Sequence, residues 1–183
     1  MAKRGETRAR LLSTAATLFR TQGYHATGLN QVVEEGRVPK GSLYFHFPGG
    51  KEQLAVESVA LAAGEVRASL RAVDDLDGVL ELFAEHLVES DFRRGCPVAT
   101  VALDAAGESE RIRAACASAY ASWSEVLVEF LVRQGVAVDR APGLATTVLA
   151  AVEGALLLTK TRRDVAPLRQ VAADLRVLIE GAM

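Results

Sequence analysis

With 183 residues, half of them hydrophobic and 24% charged, the chain can bury a sizeable core in one or two small domains, which excludes a disordered segment. Cys96 and Cys116 lack paired metal-ligand spacing, so neither a metal site nor a disulfide is expected, and free thiols in an apolar chain suit a reducing cytosol. The net charge of −2 is unevenly spread: eight Lys or Arg against three Glu leave +5 in the first 51 residues, and thirteen against twenty leave −7 in the rest. That is the footprint of a phosphate-binding module joined to a part with another job.

The opening MAKRGETRAR is charged, with no apolar run of the kind a secretion signal needs. Lys3, Arg4, Arg8 and Arg10 form either a basic arm against phosphates or a solvated helix start. A first helix is predicted from near Glu6, with Leu11, Ala15, Leu18 and Phe19 as its buried stripe and Gly23 as its stop.

Thr27 to Lys51 reads as two short helices and a tight connection. Leu29, Val32 and Val33 repeat at helical spacing behind Thr27, whose hydroxyl suits an N-cap. The pattern breaks at Gly36-Arg37 and resumes after Pro39, which fits the first turn of a second helix of about nine residues. There Leu43 and Phe47 are four apart and turn inward, leaving Lys40, Gly41, Tyr44 and Phe45 to face outward. A short helix with a basic end, a bare glycine and two exposed aromatics is shaped to meet nucleic acid, as the second helix of a helix-turn-helix.

After Lys51 a longer helix carries Leu54, Ser58, Leu61 and Val66 towards Arg71, and Asp74, Asp75, Asp77 and Gly78 mark the next break. Leu76, Leu80, Phe83 and Leu87 then step by four and three, while Glu81, Glu85 and Glu89 repeat on the other side as a solvated stripe. Arg93, Arg94, Gly95 and Pro97 interrupt that helix. Ser109 can cap the following one, which carries Ile112, Cys116, Ala119, Trp123, Val126 and Phe130 and stops near Gly135. Two final helices follow, one with Leu144, Val148, Ala151, Ala155 and Leu158, the other with Leu168, Val171, Leu175 and Leu178. The apolar stretch from Leu144 to Thr159 is interrupted by Glu153 and short for a membrane span, so a soluble, cytoplasmic protein is expected. No sustained strand alternation occurs; the fold class predicted is all-α, with about nine helices.

The residues VPKGSLYFHFPGGKEQL resemble the recognition helix and following helix start of the TetR family of bacterial transcriptional regulators, and GCPVATVALDAAGES is similar to its LmrA/YxaF-like branch. The resemblance implies a three-helix helix-turn-helix DNA-binding domain over residues 1–50 and a helical ligand-binding and dimerisation domain over 51–183. It also implies DNA-backbone contacts from Tyr44, His46 and Lys51, and positions at or near the bases for Lys40, Gly41 and Phe45. With Thr27 and Ser42 these make the candidate DNA-binding set. Packing within the small domain is the competing role for Tyr44 and His46.

Two departures from the common pattern stand out. Arg37 occupies the place of a turn glycine, so either it tolerates unusual dihedrals or Gly36 takes them. In addition, PGGK adds one residue before the fourth helix, which bears on the reach of Lys51.

Specific binding normally needs two helix-turn-helix units, about 34–36 Å or a multiple of that apart, hence a homodimer. The candidate dimer interface is Leu144, Val148, Ala151, Gly154, Ala155, Leu158, Val171, Leu175 and Leu178, as the resemblance implies; the same stripes can serve as intrachain core. Phe83, His86, Phe92, Cys96, Val98, Tyr120, Trp123 and Leu127 are the candidate effector-pocket residues, apolar with a few polar handles. The partners implied are double-stranded operator DNA, a small-molecule effector and a second copy of the chain, with no membrane. An enzyme using His86, Cys96 or Cys116 is the competing class, but no nucleophile motif, metal spacing or cofactor fingerprint supports it. No cofactor is expected.

Overall fold

The computed structural model describes residues 4–72 and 75–183; Lys3, the side chain of Arg4 and Asp74 lie outside that description. Among the described residues there are nine helices and no strand: α1 (Arg4–Gln22), α2 (Leu29–Glu35), α3 (Ser42–His46), α4 (Gly50–Ala72), α5 (Leu76–Glu89), α6 (Pro97–Ala105), α7 (Glu110–Arg133), α8 (Ala141–Arg162) and α9 (Ala166–Glu180). The all-α expectation is met. Two compact units form, one from residues 1–64 with 97–119 and the other from residues 65–96 with 120–183, so α4 and α7 each contribute to both.

In the first unit α1 packs against α2, α3 and α6. Its predicted stripe of Leu11, Ala15, Leu18 and Phe19 is buried, joined by Val32 and Val33 of α2, Leu43 and Phe47 around α3, and Leu54, Ala55 and Val59 of α4. Gly23 ends α1 in the left-handed region, at φ +90°, with its amide donating to the Phe19 carbonyl. Thr27 departs from its expected role. The N-cap of α2 is Gly28, without a side-chain cap, and the Thr27 hydroxyl is buried and donates 2.7 Å to the Gly23 carbonyl. It finishes α1 instead of starting α2. Leu61 is exposed because the buried stripe of α4 runs through Ser58, Ala62 and Ala63. The α7 cap is as expected: Ser109 Oγ accepts from the Ile112 amide at 3.2 Å.

In the second unit α9 packs on α5 and α8. Asp75 caps α5 by accepting from the Gly78 amide at 2.7 Å, and Val79, Leu80, Ala84 and Leu87 turn inward. The outward acidic side of α5 is partly engaged, since Glu81 pairs with Arg169 and Asp77 with Arg176 of α9, whereas Glu85 and Glu89 are exposed. Pro142 and Pro167 stand in the first turns of α8 and α9, where a missing amide costs nothing. With 22 residues and a mean hydropathy of 1.6, α8 is long and apolar enough to cross a membrane by length and composition. One stripe of it, including Ala145, Val148, Val152, Ala155 and Leu156, is buried within the unit. Neither cysteine forms a disulfide among the described residues, and both are buried, Cys116 in the first unit and Cys96 in the second.

Candidate nucleic-acid interface

The connection between α2 and α3 uses its two unusual residues for different purposes. Arg37 itself adopts φ +50°, while Gly36 stays right-handed at φ −69°. Gly36 is required for space instead: a Cβ there would lie 2.8 Å from the Val32 carbonyl oxygen and 3.4 Å from Thr14 Oγ1. Of the two possibilities left open by the sequence, the arginine carries the strained dihedrals.

Helix α3 is shorter than expected. Ser42 donates its amide to the Pro39 carbonyl at 2.9 Å, closing a single i to i+3 turn, and α-helix runs only from Ser42 to His46. Its faces nevertheless divide as the spacing predicts. Leu43 and Phe47 are fully buried, whereas Tyr44 is 64% and Phe45 59% exposed. Lys40 and Gly41 are exposed beside them, with nothing within 4 Å of a Cβ placed on Gly41. Ser42 and His46 are half-buried, and the His46 ring meets Phe45 edge-on with centroids 4.9 Å apart. Thr27, being buried, presents no side chain to this surface.

Lys51 is tethered. Its ammonium donates 3.2 Å to the His25 carbonyl and lies 4.5 Å from the Tyr24 ring centroid. Partial burial holds its pKa below the ordinary lysine value, with Asp104 acting in the opposite sense. The glycine amides at the start of α4 are also engaged: Gly49 donates to Gln53 Oε1 at 2.9 Å and Gly50 to the Phe47 carbonyl at 2.9 Å. Gly50 takes φ +62°, a conformation that suits the extra glycine in PGGK.

Comparison with known proteins decides what this surface belongs to. Residues 11–58 match the family described as bacterial regulatory proteins, tetR family, and residues 72–174 match the C-terminal domain of LmrA/YxaF-like transcriptional regulators. The chain belongs to the TetR family. It is similar to the HTH-type transcriptional regulator YxaF of Bacillus subtilis, at 37% identity over 98% of each chain. It is also similar to the HTH-type transcriptional regulator LmrA of the same organism, at 37% identity over 96% of this chain and 98% of that one. A TetR-family regulator from Agrobacterium tumefaciens shares the fold with a TM-score of 0.80 at 21% identity, covering 99% of this chain and all of that one. The protein is a DNA-binding transcriptional regulator of the LmrA/YxaF-like branch, not an enzyme.

The other two residue sets expected of a TetR-family regulator fall less uniformly. Of the effector set, Phe83 is half-buried and His86 exposed on α5, Phe92 is half-buried at φ +57° beneath the Arg163 guanidinium, and Cys96, Trp123 and Leu127 are buried. Tyr120 meets Trp123 edge-on at 5.4 Å between centroids. Val98 is buried in the first unit, whereas the other seven belong to the second. The described residues of the second unit enclose hollows of very different size. One, of about 10 Å³, is lined by Leu127 with Leu70, Val79, Val126 and Phe130, among others. The other, of about 230 Å³, lies among α5, α7 and α9 and includes Leu76, Phe130, Ala172, Ile179 and Met183 in its lining but none of the eight.

The TetR-like dimer set divides by face. Val148, Ala155 and Leu175 are buried inside their own unit, as the intrachain-core role of these stripes has it. Gly154, Leu158 and Leu178 are exposed, and Leu144, Ala151 and Val171 half-buried. Leu157 and Val177, outside that set, are 60% and 69% exposed on α8 and α9.

Proposed function

We propose that this TetR-family protein is a ligand-responsive repressor that binds a pseudo-palindromic operator as a homodimer and is released by a small apolar or aromatic effector. Residues 1–50 serve as the DNA-binding domain and 51–183 as the effector and dimerisation domain of a cytoplasmic protein. The observation that carries the reading is the division of α3, with Leu43 and Phe47 sealed in the core and Tyr44 and Phe45 presented to solvent beside Lys40 and the bare Gly41. Lys40 suits guanine acceptors and Phe45 a thymine methyl, while Tyr44, Ser42 and His46 sit where backbone phosphates would pass.

A homodimer is supported by an outer α8–α9 surface of Ala150, Gly154, Leu157, Leu158, Val177 and Leu178, more apolar than a solvated helix pair needs. Effector release requires that the ligand bind one spacing of the two heads better than the other. The experiment is selection of duplexes from random DNA by the full-length protein, followed by a screen of aromatic compounds for release. An inverted-repeat sequence with half-sites about one helical turn apart is expected. Enrichment of no sequence at all would overturn the assignment.

A further inference from the structure

The turn between α1 and α2 is held by a segment far away in the chain. The Tyr24 amide donates to Asp104 Oδ2 at 2.8 Å, across 80 residues of sequence. His25 Nε2 lies 2.9 Å from the Asp104 carbonyl oxygen; a carbonyl only accepts, so that nitrogen carries the proton. The same ring stands 3.5 Å from the Glu108 carboxylate. His25 passes its own carbonyl to Lys51 Nζ, and in the next position Glu52 accepts from Ser109 Oγ at 2.6 Å and Arg111 Nη1 at 2.9 Å. The end of α6 and the start of α7 are thereby bonded to the α1–α2 turn and to the first turn of α4, all within the first unit.

Gly23 fits this joint. A Cβ at that position would collide with the Asp104 carboxylate, so the missing side chain is what lets the carboxylate reach the Tyr24 amide. A hydrogen bond between an amide and a charged carboxylate is also among the stronger single ties available to a loop.

From these contacts we infer that Asp104 is a positioning residue for DNA recognition: it fixes the angle at which α2 and α3 meet DNA without itself touching DNA. The inference rests on the reading of α3 as the element that reads bases. Contacts to phosphates tolerate angular play, whereas bonds to base edges do not. Loosening the turn therefore costs specific binding more than non-specific binding.

The test uses full-length wild type, Asp104→Ala and Asp104→Asn. Amide hydrogen exchange is followed over residues 22–28, and affinities are measured for the duplex that wild type selects from random DNA and for a scrambled duplex of equal length. Asp104→Ala is expected to speed exchange at Tyr24 about tenfold and to lower the ratio of specific to non-specific affinity by about the same factor. Asp104→Asn, whose amide oxygen still accepts from Tyr24, should recover most of both. Gly23→Ala should mimic the loss, and combined with Asp104→Ala it should cost less than the two added together, because the collision is then gone.

Unchanged exchange in Asp104→Ala, or equal losses on both duplexes, would overturn the inference. If wild type selects no duplex, the assignment of α3 fails and the recognition role with it, while the exchange measurement still decides whether Asp104 holds the turn.

Discussion

Leu43 and Tyr44 are adjacent in the chain and opposite in environment, the first 1% exposed and the second 64%. Truncating each separates folding from binding. Leu43→Ala is expected to cost about 3 kcal/mol of stability, as deletion of a packed leucine does, measured by urea unfolding. Tyr44→Ala should unfold at the wild-type urea concentration and bind every duplex more weakly.

Lys40 stands at the exposed entrance to α3. Lys40→Ala should relax base preference at one position in each half-site, whereas a pure phosphate contact would instead lower the salt slope of log K by about one. Fluorescence anisotropy on selected and single-substituted duplexes across a salt series distinguishes the two.

Leu157 and Val177 are the most exposed large apolar residues on α8 and α9. A charge at either position desolvates badly in a buried interface. Wild type is expected to sediment as a dimer at micromolar concentration and Val177→Asp as a monomer, with little change in helix content. Dimeric Val177→Asp and Leu157→Asp would show that this surface is not the interface.

Arg37 pays a conformational cost at φ +50° that glycine would not. Arg37→Gly should raise stability by about 1 kcal/mol, read as a higher melting temperature.

Two carboxylates give opposite responses to pH. Burial pushes Glu153 above the ordinary value of 4.5, against a hydrogen bond from Cys96. A raised folded pKa means that the folded state binds the proton more tightly, so this contribution is greatest at acid pH and is lost as pH rises through the folded value. Glu153→Gln should therefore melt above wild type at neutral pH, with the difference shrinking towards pH 4.5. Glu52 is held below 4.5 by the Ser109 hydroxyl and by Arg111. Its contribution is present above 4.5 and lost as pH falls through the depressed value, so Glu52→Gln should melt below wild type at neutral pH and converge with it in acid. Melting curves carried from neutral pH to well below pH 4.5 check both signs.

Much of the first unit was legible because spacing alone dictates it. Leu11, Ala15, Leu18 and Phe19 had one way to face, and so did Leu43 and Phe47. Thr27 was misread as a cap because a hydroxyl before a helix can either accept from the first amides of that helix or donate to a carbonyl behind it, and the end of α1 captured it. That Gly36 is needed for the room the Val32 carbonyl and Thr14 leave, while Arg37 takes the left-handed dihedral, is something no local pattern encodes. The outer α8–α9 face was half legible: α8 is apolar on most sides, so periodicity did not tell Val148, buried, from Leu157, exposed. The Asp104 joint was invisible, since nothing near residue 104 announces a partner 80 positions earlier.

Each compact unit carries one native thiol, Cys116 in the first and Cys96 in the second, and both are shielded from solvent. An alkylating reagent consequently reacts only when the unit around its target opens. Mass-resolved labelling of the unaltered chain would time the breathing of the two halves separately, giving this regulator a pair of internal clocks that needs no engineered probe.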